Sequence, residues 1–526
     1  MLKYYKKTIK IFCCFKGDRW MKSKLAKNIV TGFGGQLIAI VLGLIVPRLL
    51  ITNYGSDVNG LLSTVTQIFT YMALLEAGIG QAAKNALYKP INEKNVTEIN
   101  NVISVARSYF RRITLLYGIG VILLSIILPF VLKTNIDSFT VFLIVMFEGL
   151  SGVVSFYFIQ TPSILISVDG KNYVNNEITL VNKIVSYIIK IVMASMGIKI
   201  VFLQFAYFLI TIAKVFFYEY YFRKKYKWIK FQKCKKEEKL KDRNSYIITE
   251  IAWTIFSSTD MIVLSMFVST QLSSVYSIYN MIFVNLNMLL SAVYNSLNYM
   301  LGYSYHGGIK KYEKMHDSFT TIFLGIMTIL MSVCYVLTVP FVNLYTRGVT
   351  DINYNYNQLP LLFCLVQLLS WSRYVSGNLT GLAGYAKETS YISLVEALLN
   401  VSLSILLVHK FGIVGVLFAT VTALPLKIIW CSYVADKKVM HRSYLKTISI
   451  IGINFVFFAV VVIGSKFLKP MINNYLQFAV WGAMLTVIFG VICTSLNLAV
   501  NRECYKIIRK YIIKNGNKSL RSKNQR

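Results

Sequence analysis

The chain is 526 residues long, 56% hydrophobic and only 15% charged, yet it carries a net charge of +34. A soluble globular protein has roughly a quarter charged residues, so a soluble enzyme and a nucleic-acid-binding domain are both excluded. The charge lies outside long apolar runs that leave no room for a separate soluble domain, and mean hydropathy is +0.56.

In chain order, residues 1–27 form a basic tail that leads straight into an apolar run too long for the core of a cleaved leader. A helix needs about 20 mostly apolar residues to cross the hydrocarbon core. That criterion predicts spans near 28–52, 58–82, 112–132, 138–167, 177–196 and 200–222, an N-lobe over 28–222. A basic cytoplasmic linker at 223–245 follows. Further spans fall near 246–268, 272–304, 317–343, 358–382, 389–408 and 412–435, a C-lobe over 246–435. Two more spans at 446–466 and 474–500 precede a basic tail at 501–526. The fold class is therefore an all-α polytopic membrane protein with about fourteen transmembrane helices.

Charge sets the orientation. The two tails and every second loop together hold 45 of the 56 Lys and Arg, and the intervening loops hold six. Positive charge resists translocation, so both termini are expected in the cytoplasm, with the chain in the cell (plasma or inner) membrane. The linker reads as a positive-inside connection, with a nucleic-acid patch or an anionic-lipid clamp as the alternatives. The eight cysteines (Cys13, Cys14, Cys234, Cys334, Cys364, Cys431, Cys493 and Cys504) show no metal-ligand spacing. They predict reduced thiols rather than disulfides or a metal site; acylation of Cys13 and Cys14 is the other reading of that pair.

A shift of about 214 residues lays Lys214 to Tyr220 over Lys427 to Tyr433, and the turns at Gly197 and Gly412 nearly over each other. An even number of helices between copies keeps their orientation. The two lobes are thus expected to be parallel repeats, with helices 13 and 14 appended.

Polar residues recur at helical spacing inside several spans. Thr179, Lys183, Ser186 and Lys190 form one stripe, and Ser393, Glu396, Asn400 and Ser404 its repeat-mate. Glu250, Thr254, Ser257 and Asp260 form a third. Asn280, Asn287, Ser291, Tyr294 and Asn298 form a fourth. Hydroxyls and amides in such stripes commonly hold helices together through hydrogen bonds worth about 1 kcal/mol. Ionisable groups at bilayer depth are functional candidates, although Lys84, Lys183, Lys214 and Lys427 sit near cytoplasmic ends where they can snorkel. The substrate-path candidates are Arg48, Lys190, Arg373, Asn280, Asn287, Tyr294 and Asn298. The coupling or ion-pair candidates are Asp260, Glu148, Glu396 and Glu250. Amides, hydroxyls and tyrosines suit a sugar, fixed cations suit phosphate oxygens, and a buried carboxylate suits a coupling ion.

The chain has no phosphate-binding G-x-x-x-x-G-K-[ST] loop and no G-x-S-x-G elbow. The longest outer loop, about 344–357, leaves little room for a catalytic site. Neither a catalytic residue nor a cofactor is expected, apart from a coupling ion, H+ or Na+.

The stretch from Asn28 to Asn101 reads NIVTGFGGQ, VPRLL, YGSDVNGLLSTVTQI, EAGIGQA, LYKPI and INN in order. Asp169-Gly-Lys-Asn-Tyr173, Thr259-Asp260-Met-Ile-Val-Leu-Ser265, Gly381-Leu-Ala-Gly, Glu396-Ala-Leu-Leu-Asn400 and Phe411-Gly-Ile-Val-Gly-Val416 continue the pattern. Over nearly its whole length the chain resembles the polysaccharide-type lipid-linked oligosaccharide flippases of the multidrug/oligosaccharidyl-lipid/polysaccharide exporter superfamily. The resemblance implies two six-helix lobes around a cavity that opens alternately to each side. It also implies an oligosaccharide on a polyprenyl diphosphate as substrate, carried across the membrane for bacterial surface polysaccharide. Cationic cavities in that family match Arg48 and, more loosely, Lys190 and Arg373. The partners implied are the bilayer, this lipid-linked substrate, and the polymerase and glycosyltransferases of the same pathway. A multidrug exporter of the same fold and a membrane-embedded glycan polymerase, with Arg347 or Asp351 as its only outer-loop candidates, remain the alternatives.

Overall fold

The computed structural model describes residues 19–76, 79–231, 243–306, 308–467 and 472–501. Most of the N-tail, residues 232–242 of the linker and the C-tail from 502 lie outside the described residues, as do Cys13, Cys14, Cys234 and Cys504. Among the described residues the regular structure is helical, which follows from the composition. A bilayer offers no water to backbone N–H and C=O groups, so a spanning segment must satisfy them internally. Nine of the described helices are long and apolar enough to cross a membrane. The chain separates into two compact units, Met1–Ile251 and Ala252–Arg526.

The first unit contains α1 (Arg19–Met72), α2 (Ile79–Asn92), α3 (Val96–Val131), α4 (Ser138–Val168), α5 (Asn172–Ser195) and α6 (Ile200–Lys225). Helix α1 breaks at Gly55 and carries the first expected span and most of the second. The second span then ends in a short 3-10 turn at Ala73–Glu76. Helix α3 shows how the sequence meets lipid. Leu115, Leu116, Ile119, Ile122, Leu123, Ile126 and Phe130 face outward, while Ile113, Tyr117, Val121, Ser125 and Leu128 are buried. The two sets alternate at the three-to-four-residue step that puts side chains on one helix face. The outer set is apolar because its solvent is hydrocarbon.

Hydrogen bonds place the turns of this unit at two ends. Tyr54 donates its hydroxyl to the Ile198 carbonyl at 2.6 Å. Asp57 accepts from the Thr134 hydroxyl at 3.1 Å and from the Asn135 amide at 3.0 Å. The bend at Gly55, the 132–137 loop and the 197–199 turn thus share one end. Beside it Asp137 caps α4 through the Thr140 N–H, which holds its carboxyl below the usual carboxylate range. At the other end the Tyr226 hydroxyl donates to Asp169 at 2.8 Å and the Lys230 N–H donates to Asn100 at 3.3 Å. Burial, with Asp169 alongside, raises the pKa of the Tyr226 phenol.

The second unit contains α7 (Arg243–Phe267), whose first turns belong to the first unit, and α8 (Thr270–His306), α9 (Ile309–Tyr345) and α10 (Leu359–Leu382). Then come α11 (Ala386–Val439), α12 (Leu445–Gly464) and α13 (Tyr475–Val500). Helix α11 is 54 residues long, about 80 Å if straight, far more than one bilayer. It folds back at Gly412 (φ 53°, ψ −130°), and the arms meet where the Asn400 amide donates to Thr420 at 2.7 Å. In the first unit α5 and α6 make the same hairpin about Gly197 (φ 68°), closed by the Asn182 amide donating to the Ile210 carbonyl at 3.1 Å. Both glycines hold positive φ, which other residues rarely adopt.

One end of this unit is tied by Tyr279, which donates to the Tyr354 carbonyl at 2.9 Å, and by the contact of Phe267 with His409. The other end holds a charged network. Arg442 reaches Asp317 at 2.6 Å, Asp436 at 2.7 Å and Glu313 at 3.1 Å. Helices α12 and α13 dock on α9 around Val336, Leu337, Phe457 and Phe489. Polar side chains join them as well: Asn454 and Asn497 exchange amide hydrogen bonds at 3.1 Å, Thr328 donates to Asn454 at 3.2 Å, Asn501 donates to Thr321 at 2.9 Å, and Lys446 pairs with Glu313 at 3.2 Å.

Candidate functional site

The charged residues at membrane depth gather into small clusters within each unit. In the first unit Glu148 on α4 accepts a hydrogen bond from the Gln204 amide of α6 at 2.6 Å. Lys190 on α5 lies 4.7 Å from the centre of the Tyr207 ring and within electrostatic reach of Glu148. Glu148 and Lys190 are both half-buried. Further along α4, the Gln160 amide donates to Glu76 at 2.9 Å. Arg48 is half-buried on α1, just after Pro47.

In the second unit Arg373 sits at the joint between the halves of α10 and donates to Glu396 on the first arm of α11. Arg373 is 5% exposed and Glu396 2%, so the pair is effectively desolvated. The guanidinium also lies 5.4 Å from the Phe256 ring centre. Lys427, half-buried on the second arm of α11, is within electrostatic reach of both. The group therefore holds two cations against one carboxylate.

A second group surrounds Asp260 on α7. The Tyr276 hydroxyl donates to Asp260 Oδ2 at 2.9 Å and the Thr420 hydroxyl at 3.3 Å. Asp260 Oδ1 and Asn400 Oδ1 are buried with no hydrogen-bond partner. Two acceptor oxygens left open in a buried site fit a proton or a small cation, because an unsatisfied buried acceptor costs about 1–3 kcal/mol.

The remaining candidates divide. Asn287 accepts from the Trp371 indole N–H at 2.8 Å, and Tyr294 donates to the Tyr374 carbonyl at 3.1 Å. Both are engaged in internal bonds beside the stacked Trp371 and Tyr374 rings, whose centres are 4.3 Å apart. Asn280 is half-buried on α8. The side chains of Glu250 and Asn298 lie outside the described residues. The structure adds Gln204, Tyr207, Tyr276 and Thr420, which the charge and stripe reading passed over. Only Thr420 carried a sequence signal, since it mirrors Asn400 across the Gly412 turn.

No protein-family profile matches the chain, and no curated relative matches it. Solved structures do. The chain is similar to the lipid II flippase MurJ in an inward closed conformation, with a TM-score of 0.64 and 14% identity over 88% of this chain and 98% of that one. A multidrug resistance MATE family transporter of the MOP superfamily, in an inward-facing conformation, matches with a TM-score of 0.61 and 11% identity. That match covers 74% of this chain and 93% of the other. The MATE multidrug transporter DinF-BH matches with a TM-score of 0.57 and 17% identity over 80% and 96%. The chain thus has the multi-pass helical fold of these flippase and transporter structures.

Proposed function

We propose that the chain is a flippase that carries an oligosaccharide on a polyprenyl diphosphate from the cytoplasmic to the outer leaflet of the cell membrane, for capsule or other surface polysaccharide. The observation that carries this reading is the Arg373–Glu396–Lys427 group, a net cation at membrane depth. Positive charge kept where the dielectric is low attracts a diphosphate strongly, and a bilayer-depth charge is costly to maintain without such a use. Transport proceeds by alternating access. Both termini lie in the cytoplasm, where the basic loops belong, and the polymerase and glycosyltransferases of the same pathway act before and after the flip.

The test is reconstitution in vesicles with labelled polyprenyl-diphosphate oligosaccharide, following label that becomes exposed on the far leaflet. Protein-dependent exposure that falls sharply in Arg48→Ala supports both the flippase and a cationic path through Arg48. Intact transport in that variant keeps the function and removes Arg48 from the path.

The open acceptors around Asp260 favour ion coupling and also leave room for a second reading, a cation-coupled multidrug exporter. Under the flippase reading Asp260→Asn abolishes the pH or sodium dependence of lipid exposure. Unchanged dependence takes Asp260 out of the coupling scheme, and export of a cationic dye without lipid exposure favours the drug exporter.

A further inference from the structure

One polar cavity shares only Gln160, the partner of Glu76, with the groups above. It lies in the first unit beside the 169–171 turn, has a volume of about 350 Å³, and is lined by Asn172, Asn175, Thr179, Lys183, Lys214 and Tyr218 among others. That size is at the lower end of small-molecule pockets, roughly 300–1,000 Å³. Lys183 and Lys214 come from different helices and feel each other's charge. Neither has a carboxylate at ion-pair distance among the described residues. Two ammonium groups facing one space repel unless an anion bridges them.

Asn175 supplies an independent sign of a ligand. It is 8% exposed. Its amide nitrogen is fully used, donating to the Ser163 carbonyl at 3.0 Å and to Asn172 Oδ1 at 3.1 Å. Its oxygen is buried with no partner and needs a donor. A neutral sugar would satisfy that oxygen and leave the ammonium groups facing each other. Inorganic phosphate would bridge the ammonium groups and, as an acceptor-rich anion, serve the amide oxygen poorly. A phosphate that carries adjacent sugar hydroxyls satisfies both.

We propose that this cavity is a binding subsite for a glycosyl phosphate. Its identification with the head of a lipid-linked substrate rests on the flippase reading, whereas the chemistry of an anion with neighbouring hydroxyls does not. The test uses the full chain in phosphatidylcholine nanodiscs and N-acetylglucosamine 1-phosphate as the probe. Free N-acetylglucosamine and inorganic phosphate are compared, and the measurement is repeated in phosphatidylglycerol nanodiscs. The probe is expected to bind about tenfold or more tightly than either fragment, since charge-assisted and hydroxyl contacts act together. The Lys183→Gln/Lys214→Gln variant loses that binding with an unchanged melting temperature, because neither lysine is buried in the core. In the unaltered protein the probe also protects both lysines from an amine-reactive label.

Wild-type affinity in the double variant, or inorganic phosphate binding as tightly as the probe, overturns the proposal. So does loss of probe binding in phosphatidylglycerol alone, which would assign the site to a phospholipid headgroup. Probe binding in a protein that moves no lipid-linked oligosaccharide in vesicles sinks the flippase reading and leaves the subsite standing. Lipid transport with no probe binding does the reverse.

Discussion

Arg373 and Glu396 show what a desolvated pair does for a membrane protein. Each ion is costly inside the membrane, and removing one partner strands the other. Arg373→Ala or Glu396→Ala is therefore expected to cost about 3–5 kcal/mol, whereas Arg373→Met with Glu396→Leu lies near the unaltered protein. Thermal unfolding in detergent checks this, and a double variant as unstable as the sum of the singles would show that the pair is not what matters. The double variant is nonetheless expected to transport poorly, because Lys427 keeps the net charge but the guanidinium that would pair with the diphosphate is gone. Both residues were legible in the sequence as ions within apolar runs. Their pairing was not, because they lie 23 positions apart on different spans. Lys427 and Lys183 read as able to snorkel near helix ends, and the structure sets Lys427 within electrostatic reach of Arg373 and Lys183 at the wall of a polar cavity. Asn287 and Tyr294 read as path-lining, and in the structure the Trp371 indole N–H and the Tyr374 carbonyl engage their polar atoms.

The helices show the same division one level up. Span positions follow from apolar length, and among the described residues α-helix covers most of each expected span, with a break after Met72 in the one at 58–82. The interruptions do not follow. The π-turn at Ser155–Ile159 lies in sequence as apolar as the helix on either side, whereas the one at Val434–Val439 falls on Asp436, Lys437 and Lys438 at the end of its helix. The hairpin turns at Gly197 and Gly412 were readable because glycine is the residue a positive φ selects. At Gly412 a Cβ would meet nothing within 4 Å, so the penalty of Gly412→Ala is conformational alone. A backbone there at φ 53° and ψ −130° is expected to cost about 1–3 kcal/mol once a side chain is added. Asn is expected to give no rescue, because ψ lies outside the left-handed helical well it tolerates. A melting temperature unchanged in Gly412→Ala would mean that the hairpin can bend elsewhere.

For the molecule as a whole, the alternation of basic and nearly neutral loops states which turns share a side, and the hydrogen bonds of each unit place those turns together. In the first unit the end tied by Tyr54 and Asp57 carries Lys133 and Lys199, and the opposite end carries Lys171 and Arg223. In a background freed of its native cysteines, Lys133→Cys and Lys199→Cys are expected to react with a membrane-impermeant maleimide on intact cells. Lys171→Cys and Lys310→Cys are expected to react only after permeabilisation. The reverse pattern would invert the direction of transport argued above. Charge counting could not show the clusters at bilayer depth, since it records where ions are rare and not which helices bring them together.

The docking of α12 and α13 also bears on how the chain is built in the cell. The surface they cover on α9 is apolar, and acyl chains solvate such a surface as well as another helix does. What holds the last two helices in place is thus concentrated in packing, in the bonds among Thr328, Asn454 and Asn497, and in the contacts of Lys446 with Glu313 and of Asn501 with Thr321. The preceding helices can leave the ribosome, enter the bilayer and assemble before these two have been synthesised. The final pair then latches on as a late addition, with its position fixed by a handful of polar contacts to a helix already in place.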